Sequence, residues 1–229
     1  MLIPLDSPGI RSMVATPHMT SSAVPTREQA VRRGQWLTWT TIAYNSLEAL
    51  LSIVAGLLAG SVALVGFGFD SVIELSSSLA GLWRLQADAA PAQRARVERH
   101  ALRFIGICFL VLAAYVLNDA SRTLLAHERP DESIIGIVVA VGSLVVMPLL
   151  ARAKRRVAAQ LNSSALTAEA RQTEICTYLS AILLGGLLLH ALLGWWWADP
   201  VAALAMAPLV GYEGLEAVRG RTVCADGCH

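Results

Sequence analysis

Six long apolar runs, parted by short polar or basic stretches, set the pattern of this chain. They extend from about Trp36 to Gly60, Ser61 to Leu85, Ala101 to Leu125, Ile134 to Leu150, Ala165 to Leu189 and Asp199 to Val218. A helix rises about 1.5 Å per residue, so runs of this size match a hydrocarbon core of about 30 Å. The pattern predicts an all-α polytopic membrane protein with six transmembrane helices. Gly60-Ser61 is the only break between the first two runs, which predicts a tight antiparallel hairpin. Gly56, Gly60, Gly66 and Gly68 would let its two backbones approach closely. Pro148 is expected to kink the end of the fourth run, and Asp199-Pro200 to cap and start the sixth.

The second run breaks its own pattern. SVALVGFGFDSVIELSSSLAGLWRL is apolar enough to span, yet carries Asp70 and Glu74 in its middle. Asp70 falls about 14 Å along the helix from Ser61, near mid-membrane. An ionised Asp there costs about 2.5–3.5 kcal/mol even on the lenient insertion scale, so a plain anchor would not carry two acids. Spacing i,i+4 puts both carboxylates on one face, one turn apart, where they can share a cation. The fifth run offers a matching pair, Gln172 and Cys176, also i,i+4, with Glu169 a turn earlier. Antiparallel packing of the two helices lets Asp70, Glu74, Gln172 and Cys176 converge at one depth. Two carboxylates, an amide oxygen and a thiolate suit a divalent ion, and the thiolate favours Zn²⁺ or Cd²⁺ over Mg²⁺ or Ca²⁺. All except Gln172 can take a proton when the ion leaves, so metal-for-proton exchange is available.

Composition agrees with a membrane protein. The 229 residues are 55% hydrophobic and 15% charged, with a mean hydropathy of +0.55. A net charge of +1 gives no case for nucleic-acid binding. Arg27, Arg32, Arg33, the cluster from Arg84 to Arg103, the cluster from Arg152 to Arg156, Arg219 and Arg221 fall on one side of the predicted spans, against Arg122 and Arg129 on the other. The positive-inside rule then puts both termini in the cytoplasm. Residues 1–35, rich in Pro, Ser and Thr at the start and basic at the end, read as a disordered cytoplasmic segment. Residues 36–218 form the transport domain, and 219–229 a short cytoplasmic tail. Cys108, Cys176, Cys224 and Cys228 make no secreted disulfide framework, two of them lying in apolar spans.

From about Trp36 to Arg221 the chain resembles the cation diffusion facilitator (cation efflux) family. The matching pieces are NSLEALLSIVAGLLAGSVALVGFGFDSVIELSSSLAGLWRL, SALTAEARQTEICTYLSAILL and GWWWADPVAALAMAPLVGYEGLEAVRG. The resemblance implies six helices, usually dimeric, exporting Zn²⁺ or related ions (Cd²⁺ or Co²⁺) against protons from the cell membrane. Carried over, Asp70 and Glu74 match the family's span-two metal pair. Gln172 and Cys176 stand where span five usually has His and Asp. The resemblance also implies a member reduced to its transmembrane part, without the usual cytoplasmic C-terminal domain. No permanently bound cofactor is implied; the metal is cargo.

Blander readings stand beside these. Asp70 and Glu74 would otherwise only bond neighbouring helices, Cys176 would be a small packing residue, and Gln172 an interhelical hydrogen-bonder. Asn45 and Glu48, mid-depth in the first run, belong either to a proton path or to interhelix contacts, and Glu169 either to an access route or to the interface. Cys224, Cys228 and His229 have ligand chemistry but no second Cys/His pair, leaving an accessory metal site or a solvated tail. The leading function is a proton-coupled exporter of divalent cations. The alternative is a non-transporting membrane metal-binding scaffold or subunit of the same fold. An enzyme is not expected, since no His-Glu-x-x-His or Gly-x-Ser motif accompanies the acids.

Overall fold

The computed structural model describes residues 27–86, 91–161 and 164–219. Six helices fill them: α1 (Arg27–Ala59), α2 (Val62–Gln86), α3 (Pro91–Ala126), α4 (Ile134–Leu161), α5 (Ser164–Leu193) and α6 (Ala198–Arg219). All six contain a stretch long and apolar enough to cross a membrane, and the protein is an integral membrane protein. The segment before residue 27, and the tail with Cys224, Cys228 and His229, lie outside the described residues.

Several helices outrun the apolar runs that mark them. Helix α1 begins at Arg27 rather than Trp36, so residues 27–35 are helical and not part of a disordered segment. Helix α3 begins at Pro91, inside the stretch expected to be a basic loop, with proline at a first-turn position where its missing N–H is no loss. Helix α4 runs past Pro148 to Leu161, so the basic stretch from Arg152 to Arg156 that parts the fourth and fifth runs is helical. The physical reason is common to all three. Charge marks where a helix leaves lipid, not where its hydrogen bonding stops.

The α1–α2 hairpin turns on Gly60, whose φ of 65° suits a residue without a Cβ. Close approach follows at Gly68, where an added Cβ would stand 2.6 Å from Ile53 Cγ1 and 2.9 Å from its backbone N. Helices α3 and α6 meet as closely at Gly106 and Gly214, each of which leaves room for the other's carbonyl oxygen. Helices α1, α2, α4 and α5 pack around one another, while the α3–α6 pair packs against α2 and α5. Outward-facing residues such as Leu58, Phe104, Leu125, Ile134, Val138 and Leu192 suit contact with lipid.

Asp199 does not serve its own helix. Helix α6 starts at Ala198, and the Asp199 carboxylate instead accepts from Ser61 Oγ at 2.5 Å, while Ser61 Oγ accepts from Leu64 N–H at 3.1 Å. This buried pair ties the start of α2 to the start of α6. Ser133 caps α4, its Oγ accepting from Gly136 N–H at 3.0 Å. The largest fully buried apolar side chains, Phe67, Leu64, Met147, Leu179 and Leu183, fill the core between these helices.

Candidate functional site

A column of buried polar side chains runs through the four-helix group. Helix α1 contributes Thr38, Thr41, Asn45, Glu48 and Ser52, and α2 contributes Asp70, Ser71, Glu74 and Ser78. Helix α4 adds Ser143 and Lys154, and α5 adds Glu169, Thr173, Cys176 and Ser180. In α1 and α5 these positions recur at three- and four-residue steps, one face of a 3.6-residue period; α2 adds the adjacent pair Asp70 and Ser71, and the two α4 positions are eleven residues, about three turns, apart. The Thr38-to-Ser52 stretch of α1 gives the column a length of about 21 Å.

At one end of the column, Lys154 Nζ lies 3.6 Å from Glu169 Oε2 and donates to Thr173 Oγ at 3.2 Å. A turn further in, Thr173 Oγ donates to Glu74 Oε1 at 2.8 Å. Deeper still, Glu48 accepts from two hydroxyls, Ser71 Oγ at 2.8 Å on one oxygen and Ser143 Oγ on the other. The Tyr44 hydroxyl lies beside Glu48 and Ser143. Asp70 and Cys176 complete this layer: Cys176 interacts electrostatically with Glu48, Glu74 and Asp70, and Asp70 with Glu74, Glu48 and Glu213.

Of the residues expected at the site, Asp70, Glu74 and Cys176 are all at least nine-tenths buried and share this layer. Gln172 is only half-buried. On α5 it is Thr173, the next residue along, that donates to Glu74, and Cys176 lies beside the same carboxylate. Glu48 belongs to the acidic layer itself, and Asn45 is fully buried one turn before it on α1. Glu169 sits at the Lys154 end. Tyr115 and Asp119 of α3 bond each other at 3.2 Å, on exposed positions of that helix.

Two imbalances mark the layer. Among the described residues, Glu48, Asp70 and Glu74 have no ion-pair partner; the buried cation nearby is spent on Glu169. Three polar atoms there, Glu74 Oε2 and both amide atoms of Asn45, are buried with no hydrogen-bond partner. Buried unpaired acids are costly, and proteins retain them where something else binds. No three His, Cys, Asp or Glu side chains close on one point among the described residues. An ion would therefore have to draw the donors together.

Sequence reasoning missed Lys154, Thr173, Ser71 and Ser143. Lys154 was absorbed into an Arg-rich stretch, although it continues the buried face of Ser143, Met147, Leu150 and Ala151. Thr173 lies four residues after Glu169 and three before Cys176, a helical step that the Gln172–Cys176 pairing passed over.

Comparison with known proteins gives this geometry a context. The family model for the cation efflux transmembrane domain matches residues 38–221. An uncharacterized transporter of Synechocystis sp. is 26% identical over 175 residues, covering 74% of this chain and 56% of that protein. Transmembrane protein 163 of Xenopus laevis is 27% identical over 135 residues, covering 59% and 48%. The cation-efflux pump FieF of Shewanella oneidensis is 23% identical over 173 residues, covering 72% and 58%. The chain thus spans about half to three-fifths of the length of these relatives.

Proposed function

The chain belongs to the cation efflux family, a family of transporters and not enzymes, and on that premise we propose that it carries a divalent cation across the membrane through the polar column. The observation that carries this reading is the acidic layer of Glu48, Asp70 and Glu74 beside Cys176, buried with no ion-pair partner among the described residues. Net negative charge in a low-dielectric bundle has to be neutralised, by a bound cation or by protons. Asp70, Glu74 and Cys176 are the donors, with Gln172 at their border and Glu48 lending charge from α1. Glu74 Oε2, free of hydrogen bonds, is the oxygen best placed to reach an ion. Carboxylates with a thiolate favour Zn²⁺, with Cd²⁺ or Co²⁺ as alternatives, over harder ions.

Protons are the exchange partner in this proposal. The same carboxylates and thiol bind either a metal or protons, so filling with one displaces the other. The basic residues Arg32, Arg33, Arg152, Arg155, Arg156 and Arg171 gather at the end of the bundle where Lys154 lies, which supports that end as cytoplasmic and the flow as export across the cell membrane. A homodimer, usual in the family by resemblance, is part of the same reading.

The test is uptake of Zn²⁺ and Cd²⁺ into sealed liposomes holding the purified chain. Uptake above empty liposomes, saturating with metal concentration, is the expected result. Binding without any flux would favour the scaffold reading instead.

A further inference from the structure

Lys154 is the buried residue that neither metal binding nor helix packing calls for. Its side chain is fully buried inside the bundle. A fully buried ammonium is costly unless it is paired, and a Leu or Met would join α4 to α5 more cheaply. Its charge is directed at two α5 groups, Glu169 Oε2 at 3.6 Å and Thr173 Oγ at 3.2 Å. Thr173 in turn reaches Glu74 Oε1 at 2.8 Å, so one hydroxyl separates the ammonium from a proposed cargo donor. Glu169 Oε2 is buried, with Lys154 as its charge partner at 3.6 Å and the Thr38 hydroxyl of α1 beside the carboxylate.

We propose that Lys154 is a resident counter-cation that withholds Glu169 from the cargo and so sets how tightly the acidic layer grips a divalent ion. The proposal rests on the transport reading above and adds a residue that determines affinity. Without the ammonium, Glu169 and Glu74 would face each other across the Thr173 hydroxyl as two uncompensated carboxylates. A divalent ion would then meet more negative charge, bind more tightly and leave more slowly. Lys154 acts through Glu169 and Thr173, and is a positioning residue, not a ligand.

Cd²⁺ binding to the purified full chain in detergent, measured by equilibrium titration near pH 7.5, tests this. Lys154→Met should bind Cd²⁺ roughly tenfold more tightly than the unaltered chain. Lys154→Gln, which keeps a donor for Thr173, should show the same gain and replaces the Met variant if that one does not fold. Lys154→Arg should stay near the unaltered affinity, and the charge-balanced pair Lys154→Met with Glu169→Gln should return to it. Transport should separate from binding, Lys154→Met turning over more slowly in liposomes despite its tighter grip. Unchanged Cd²⁺ affinity in both single neutral variants, with only a lower melting temperature, would make Lys154 a structural tie and overturn the proposal. Weakened binding in the charge-balanced pair would overturn it too, by making Glu169 a ligand. If the unaltered chain binds no Cd²⁺ and carries no Zn²⁺, the transport reading falls and takes this inference with it; if it does either, only the Lys154 assignment is at stake.

Discussion

In the proposed site, Cys176 is the residue that would set the preference among ions. It is 1% exposed and is the one sulfur donor in a layer otherwise made of carboxylates. Replacing it by serine keeps the size but removes the soft donor. Cys176→Ser should therefore lower Cd²⁺ transport more than Zn²⁺ transport, read as the ratio of the two uptake rates in liposomes. An unchanged ratio would remove Cys176 from the ligand set. Residues such as this one were legible because their chemistry is conspicuous in an apolar run. Asp70 and Glu74 announce themselves by charge, and Cys176 by its register. Thr173 was not legible, because a threonine in a helix most often just bonds the carbonyl four residues back, and Thr173 Oγ does lie 2.9 Å from the Glu169 carbonyl, which shares the hydroxyl's one proton with Glu74. Its second role, holding Glu74, depends on which helix lies opposite, and no local spacing encodes that.

At the scale of the elements, the apolar runs located all six helices, and the Gly60-Ser61 break located the hairpin; Gly56 and Gly68 line its close contact as expected, whereas Gly66 faces Val116 of α3. The helix ends were less legible. Lys154 shows why: flanked by Arg152, Arg155 and Arg156, it looks solvated, yet its neighbours point outward while it points in. A charge run gives the composition of a segment; only the helical phase, carried on from Met147 and Leu150, gives the direction of each member. The hairpin carries its own prediction. At Gly68 even a methyl would press on the Ile53 side chain and backbone. Gly68→Ala should destabilise the protein by about 1–3 kcal/mol, as overpacking does, seen as a lower melting temperature in detergent. A melting temperature equal to that of the unaltered chain would mean the α1–α2 contact is looser than described.

Across the whole molecule, the four-helix group holds the polar column, while α3 and α6 close against α2 and α5 from one side. Asp70 is the acid that looks toward this junction, interacting with Glu213 of α6 as well as with Glu74 and Glu48. The order of the helices in sequence shows none of this; it emerges only when α2 is seen between both groups. If metal and protons exchange on the Asp70–Glu74 layer, as proposed, a metal gradient must drive proton movement. Liposomes holding the unaltered chain and a pH-sensitive dye should show protons moving opposite to added Zn²⁺ or Cd²⁺. Asp70→Asn keeps nearly the same volume but removes one charge and one proton acceptor, and should abolish that movement in protein that still inserts and folds. Full metal-driven proton flux in Asp70→Asn would contradict the account, leaving the paired acids as structural contacts.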